Sequence, residues 1–118
     1  MSRGPVPSRL CLLSSLPERP EGEKVRFLGC VTSYSVASAS LVLCHLWPRD
    51  SRVTASVDVQ LVLQSLGEES TRVGEWVNVI GYVRGTGGNS ARVQALMVWS
   101  TGPLDIQRYE TSFEPASG

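Results

Sequence analysis

The chain has 118 residues, enough for one domain that buries roughly two-thirds of its unfolded surface without help from metals or disulfides. Eleven basic residues balance eleven acidic ones, so the formal charge is zero and the overall positive field behind most non-specific nucleic-acid binding is missing. Three cysteines (Cys11, Cys30, Cys44) are too few and odd in number for a disulfide framework and read as reduced thiols inside a cell, while the lack of a long apolar run disfavours secretion and membrane spanning.

Residues 1–23 hold four of the seven prolines and one apolar burst, Leu10 to Leu16. They read as an irregular arm packed on the outside of a domain formed by residues 24–118. Lys24 to Tyr34 reads as a long first strand, with Val25, Phe27 and Val31 on one face and Gly29 supplying a bend or bulge that lets it serve two sheets. The second strand is expected over Leu41–Trp47 and the third over Arg52–Val57, joined by the turn-like Pro48-Arg49-Asp50-Ser51. Asp58 then caps a short helix whose Val59, Val62, Leu63 and Leu66 share one stripe that plugs the barrel, and Gly67 closes it.

The fourth strand, Glu75–Arg84, alternates strictly. Val77, Val79 and Val83 fall on one face and Trp76, Asn78, Ile80 and Tyr82 on the other, so both faces call for cover and the chain reads as a binding module. The loop Gly85-Thr-Gly-Gly-Asn-Ser90 returns the chain into a fifth strand, Arg92–Ser100, with Val93, Ala95, Met97 and Trp99 on a common face. Gly102-Pro103 opens a C-terminal helix over 103–113, with Ile106, Tyr109 and Phe113 on one side, and residues 114–118 fray.

Three strands, a helix and two more strands give the order of the OB-fold, an all-β, five-stranded Greek-key barrel, followed here by a C-terminal helix. That fold hosts nucleic-acid, sugar and protein ligands alike, so it does not choose the function. Enzyme readings find little support. The loop after the fourth strand lacks the Lys-Ser/Thr of a phosphate-binding P-loop, and Cys44 and His45, as strand neighbours, point to opposite faces and cannot jointly hold a metal. His45 is the sole histidine, and no serine sits beside a recognisable base and acid. No cofactor or metal is implied, and the chain reads as non-enzymatic.

Trp76, Tyr82 and Trp99 have three readings: core packing, a protein interface, or stacking on single-stranded bases. Lys24, Arg26, Arg84 and Arg92 lie near strand ends, either as a local track for nucleic-acid phosphates or as solvated charges. The stripe Ile106, Tyr109 and Phe113 either caps the chain's own barrel or meets a partner.

Four blocks, Pro7-Ser-Arg-Leu10, Lys24-Val-Arg-Phe-Leu-Gly-Cys-Val31, Gly74-Glu-Trp-Val-Asn-Val-Ile-Gly-Tyr82 and Val98-Trp-Ser-Thr-Gly-Pro-Leu-Asp105, resemble in order and spacing the fungal Ten-one family, the smallest subunits of the CST telomere-capping complex. Residues 37–40 and 66–72 carry no such likeness. The resemblance implies a non-enzymatic subunit that pairs with the N-terminal OB-fold of Stn-one through its C-terminal helix and adjoining barrel surface. With the large CST subunit it would support protection of telomeric single-stranded DNA and regulation of telomere length, in the nucleus at chromosome ends. On that reading Leu104, Ile106, Tyr109, Phe113 and Met97 are the partner contacts, and DNA is met weakly or through the complex. The alternative is a stand-alone single-stranded nucleic-acid binder, which would be expected to carry the positive field that this chain lacks.

Overall fold

Lys24–Ser35 is long enough to pair on both of its edges, and the architecture follows from that. In the computed structural model, which describes residues 7–47, 51–103 and 105–113, this strand is preceded by a two-residue strand β1 (Arg9–Leu10) and is numbered β2. Its first half runs antiparallel to β5 (Trp76–Gly87), from Lys24 opposite Tyr82 to Cys30 opposite Trp76. Its second half runs antiparallel to β3 (Ser40–Cys44), from Cys30 opposite Cys44 to Ser35 opposite Ser40. Then β3 pairs antiparallel with β4 (Thr54–Asp58), β4 parallel with β6 (Ser90–Ser100), and β6 antiparallel with β5. The β2–β5 pairing closes a five-stranded barrel, with β1 added in parallel to the start of β2, which is the expected OB-fold. Alternation puts Val25, Phe27, Val31, Leu41, Leu43, Val57, Val77, Val79, Val83 and Val93 inside, all essentially inaccessible.

Gly29 works differently from the expectation. The irregularity in β2 lies further on, between Val31 and Ser33. Gly29 instead allows close approach, since a Cβ there would sit 2.9 Å from both Leu13 Cδ1 and Leu43 Cβ.

Leu13 is in that position because residues 7–23, the described part of the expected arm, are not simply packed on the outside. The 3₁₀ segment Leu13–Glu18 seats Leu13 and Leu16 in the core, both fully buried, which corrects the expectation of an arm on the outside for this segment. Each leucine stabilises by about 1.5–3 kcal/mol through burial, more than an irregular surface segment would gain by staying in water.

The expected helix after Asp58 is replaced by two 3₁₀ turns, Gln60–Val62 and Glu68–Thr71. Asp58 Oδ1 still accepts the Gln60 N–H at 2.9 Å. Val59 and Val62 are buried, Leu66 is half-buried, and Leu63 is 44% exposed, so the four residues do not form one buried stripe. A segment this short gains little from nucleating an α-helix, and a single tight turn already presents positions i and i+3 to the core.

In β6 the expected common face of Val93, Ala95, Met97 and Trp99 is broken. Gly81 pairs with Ala95 and Ile80 with Met97, leaving Leu96 as an extra residue. The phase of the strand flips there: Val93 and Ala95 are inside, Val98 packs on the core, and Met97 and Trp99 face outward.

The C-terminal helix, α1 (Ile106–Thr111), starts later than Pro103, because the Asp105 carboxylate accepts the Arg108 N–H at 3.0 Å and so caps the helix. Leu104, the Pro48–Asp50 part of the strand link and the tail 114–118 fall outside the described residues. Among the described residues no helix is long and apolar enough to cross a membrane.

Candidate protein and nucleic-acid interface

The outward positions of β2, β5 and β6 line up as rows across one side of the barrel. Lys24 lies opposite Tyr82, which lies opposite Gln94; Arg26 opposite Ile80 and Met97; Leu28 opposite Asn78 and Trp99; Cys30 opposite Trp76. Trp76, Tyr82 and Trp99 therefore all stand on the outer face, half-buried and outside the core cluster, which removes the core-packing reading for them. The Arg26 guanidinium lies over the Trp99 ring at 5.4 Å and that of Arg84 over Tyr82 at 5.8 Å, so cations and aromatic faces are interleaved. Met97 is 55% exposed in the middle of this surface.

One end of the face is covered by α1. Leu28 is an outward residue of β2 and yet only 1% exposed. The Tyr109 hydroxyl comes down beside the Leu28 main chain, buried but without a well-formed hydrogen bond. Burial pushes the phenol up to about 12, an effect that the Leu28 main chain and Arg26 partly offset and Cys11 reinforces. The firmest tie is between His45 Nε2 and Glu110 Oε2, 2.7 Å apart, with His45 only 1% exposed and the Glu110 side chain 18% exposed. His45 also meets Trp76 edge-on at 5.2 Å and Tyr109 at 6.0 Å, while Tyr109 touches Phe113 at 5.1 Å. The helix is thus fastened to its own barrel through Tyr109 and Glu110. Phe113 sits at its far end, on a cleft of about 320 Å³ shared with Leu10, Cys11, Leu12 and Arg19.

The described residues expected to bind a partner therefore fall in three different settings. Tyr109 is largely spent on the chain's own barrel, Ile106 and Phe113 are half-buried at the helix, and Met97 is on the open face. Leu104 lies outside the described residues. The four expected cations separate as well. Lys24 and Arg26 belong to the outer face of β2, Arg84 joins that face over Tyr82 and also borders a groove of about 200 Å³ with Ser38, Ser40, Ser56 and Asp58 in its walls, and Arg92 is exposed at that groove. Arg92 extends its guanidinium across Gly85, and Arg84 bonds Gln94.

His45 was the residue that sequence reasoning missed as a structural tie. Its only signal was position: the first residue after β3, with nothing in the chain pattern to announce Glu110, 65 residues away, as its partner. Leu13 and Leu16 carried only the apolar character of the burst Leu10 to Leu16.

A closed barrel with an aromatic and cationic outer face and a helix bolted across one end is an OB-fold binding module, in which the surface offered to a ligand is built on rigid strands. The family model described as "Telomere capping, CST complex subunit", that of Ten1 (Ten-one), matches residues 1–114, and the chain belongs to that family. The chain is 28% identical over 102 residues to the protein ten1 of Schizosaccharomyces pombe, covering 86% of each. Its fold is similar to that in the crystal structure of the S. pombe Stn1-ten1 complex, with a TM-score of 0.69 at 27% identity over 92% of this chain and 90% of that one. Replication protein A of U. maydis, solved bound to single-stranded DNA, shares the fold at a TM-score of 0.60 and 20% identity, over 90% of this chain and 85% of that one.

Proposed function

We propose that this chain is the small, non-catalytic OB-fold subunit of a telomere-capping CST complex and docks on the N-terminal OB-fold of an Stn1 (Stn-one) subunit through α1 and the neighbouring outer face of β5 and β6. The observation that carries this reading is the fastening of α1: the His45–Glu110 pair and Tyr109 tie the helix to the barrel, with Phe113 at its end and the 55% exposed Met97 on the adjoining strand left to a partner. A pre-ordered helix costs little entropy on docking, and Met and Phe on such a surface give contact area without charge to desolvate. The relative solved as an Stn1-ten1 complex supports the choice of partner.

Telomeric single-stranded DNA is met mainly through the assembly. With zero formal charge, the chain has no overall positive field, and the cations beside its aromatic face and groove are Lys24 and Arg26 near Trp99 and Tyr82, and Arg84 and Arg92 at the groove. The sole histidine is buried against α1 and tied to Glu110, so it serves architecture and not proton transfer to a substrate. The site of action on this reading is the nucleus, at chromosome ends, together with the large CST subunit. Size-exclusion chromatography with light scattering, run on the chain alone and with the Stn1 N-terminal OB-fold, tests the proposal. A one-to-one complex is expected. Independent elution of the two chains, with nanomolar single-strand binding by this chain alone, would instead establish the stand-alone binder.

A further inference from the structure

Cys30 and Cys44 are register partners at the end of the β2–β3 ladder, where β3 stops. Residues directly opposed in an antiparallel ladder project to the same face with Cα atoms about 4.5–5.5 Å apart. That spacing falls within the roughly 4.4–6.8 Å a disulfide bridges. Their neighbours Val31 and Leu43 point into the core, so both thiols lie on the outer side, half-buried, with Trp76 opposite Cys30 on the other flank. Both are free thiols. Burial, then the adjacent Cys44, then Glu75 hold the Cys30 thiol above its ordinary value, and the influence of Cys44 fits two sulfurs that face one another. Cys11, at 7% exposure, is shielded in the core and far less open to a reagent.

We propose that Cys30 and Cys44 form a reversible dithiol site that a low-molecular-weight disulfide converts into a cross-strand disulfide. The thiolate of one cysteine attacks a sulfur of the small disulfide, forms a mixed disulfide and expels one small thiolate. The thiolate of the second cysteine then attacks the protein sulfur of that mixed disulfide and expels the other small thiolate. The two cysteines give up two protons and two electrons, and the small disulfide is reduced to two thiols. The bond so formed pins β2 to the last residue of β3, immediately before His45, the side chain that holds α1.

The full chain is equilibrated with graded ratios of reduced and oxidised glutathione, quenched with iodoacetamide under denaturing conditions, and mapped as non-reduced peptides by mass spectrometry. A Cys30–Cys44 linked peptide should accumulate as the oxidised fraction rises, with Cys11 alkylated, and should disappear with dithiothreitol. Cys44→Ser should lose the link and carry a glutathione adduct on Cys30. Separate adducts on Cys30 and Cys44 without a link, bonds through Cys11 or between chains, or thiols that stay reduced throughout the series would each overturn the proposal. The wild-type map decides this even if the serine variant folds poorly.

Discussion

Replacing Glu110 with alanine should loosen the C-terminal helix and lower the stability of the whole barrel. His45 is 1% exposed, its Nε2 bonds Glu110 Oε2 at 2.7 Å, and its Nδ1 is already without a partner. Without Glu110, both ring nitrogens are buried and unpaired. Orphaning one buried polar group costs about 1–3 kcal/mol. The partner carboxylate is 18% exposed, so some water reaches the vacated side and the middle of that range, about 2 kcal/mol, is the expected loss. For a chain of this length, roughly 4 °C of melting temperature goes with each kcal/mol, so the midpoint should fall by about 8 °C. Calorimetry reads that fall, and hydrogen exchange should show the Tyr109 amide, bonded to the Asp105 carbonyl at 3.2 Å, exchanging faster than in the wild type. Glu110→Gln, which keeps an acceptor, should recover part of the loss. If Glu110→Ala melts with the wild type and α1 amides stay protected, the pair does not fasten the helix.

Tyr109→Phe should be neutral or slightly stabilising near pH 7, since the buried hydroxyl makes no well-formed bond. Burial raises the phenol from 10.0 to about 12, so the folded state favours the neutral form; that contribution is intact below pH 10 and is lost as pH rises toward 12, and equal alkaline loss in Tyr109→Phe and wild type by urea denaturation would refute it. Val62→Asp should cost about 3 kcal/mol or more, because Val62 is buried under the barrel, whereas Leu63→Asp, at a 44% exposed site, should cost under about 1 kcal/mol; reversed costs in denaturant titrations would contradict the observed 3₁₀ turn. Gly81→Ala should lose about 3 kcal/mol or fail to fold, since the new Cβ would lie 2.2 Å from the Gln94 carbonyl oxygen, and a wild-type melting curve would show that the β5–β6 irregularity relaxes freely.

The barrel was legible in the sequence because its strands alternate cleanly. Val77, Val79 and Val83 fell inside and Trp76, Ile80 and Tyr82 outside with no tertiary information. What escaped were features fixed by contacts between distant segments. An extra residue at Leu96 turns Met97 and Trp99 outward, and no local pattern signals a register shift that depends on the partner strand. Leu13 enters the core where Gly29 leaves room for it, a fit visible once both segments are in place, and Leu16 is buried beside it in the same core. The expected helix after Asp58 was a matter of length: the spacing of Val59, Val62, Leu63 and Leu66 pointed to a helix, but a segment this short gains little from nucleating one and forms a 3₁₀ turn. At the site, the aromatic content of the C-terminal stripe was apparent, but the division of labour within it was not. Tyr109 is occupied by Leu28 and His45, and that became evident only when α1 was seen lying across β2.

The most direct test of the docking account is titration calorimetry of the Stn1 N-terminal OB-fold into the wild-type chain and into Met97→Ala/Phe113→Ala. The two side chains are exposed or half-buried and contribute little to the barrel's own packing, so the double variant should melt within about 2 °C of the wild type. Its affinity should drop by about 2–4 kcal/mol, roughly 30- to 1,000-fold, as expected when two apolar anchors of an interface are truncated. A double variant that pairs as tightly as the wild type would contradict the account and place the partner on a different surface of the barrel.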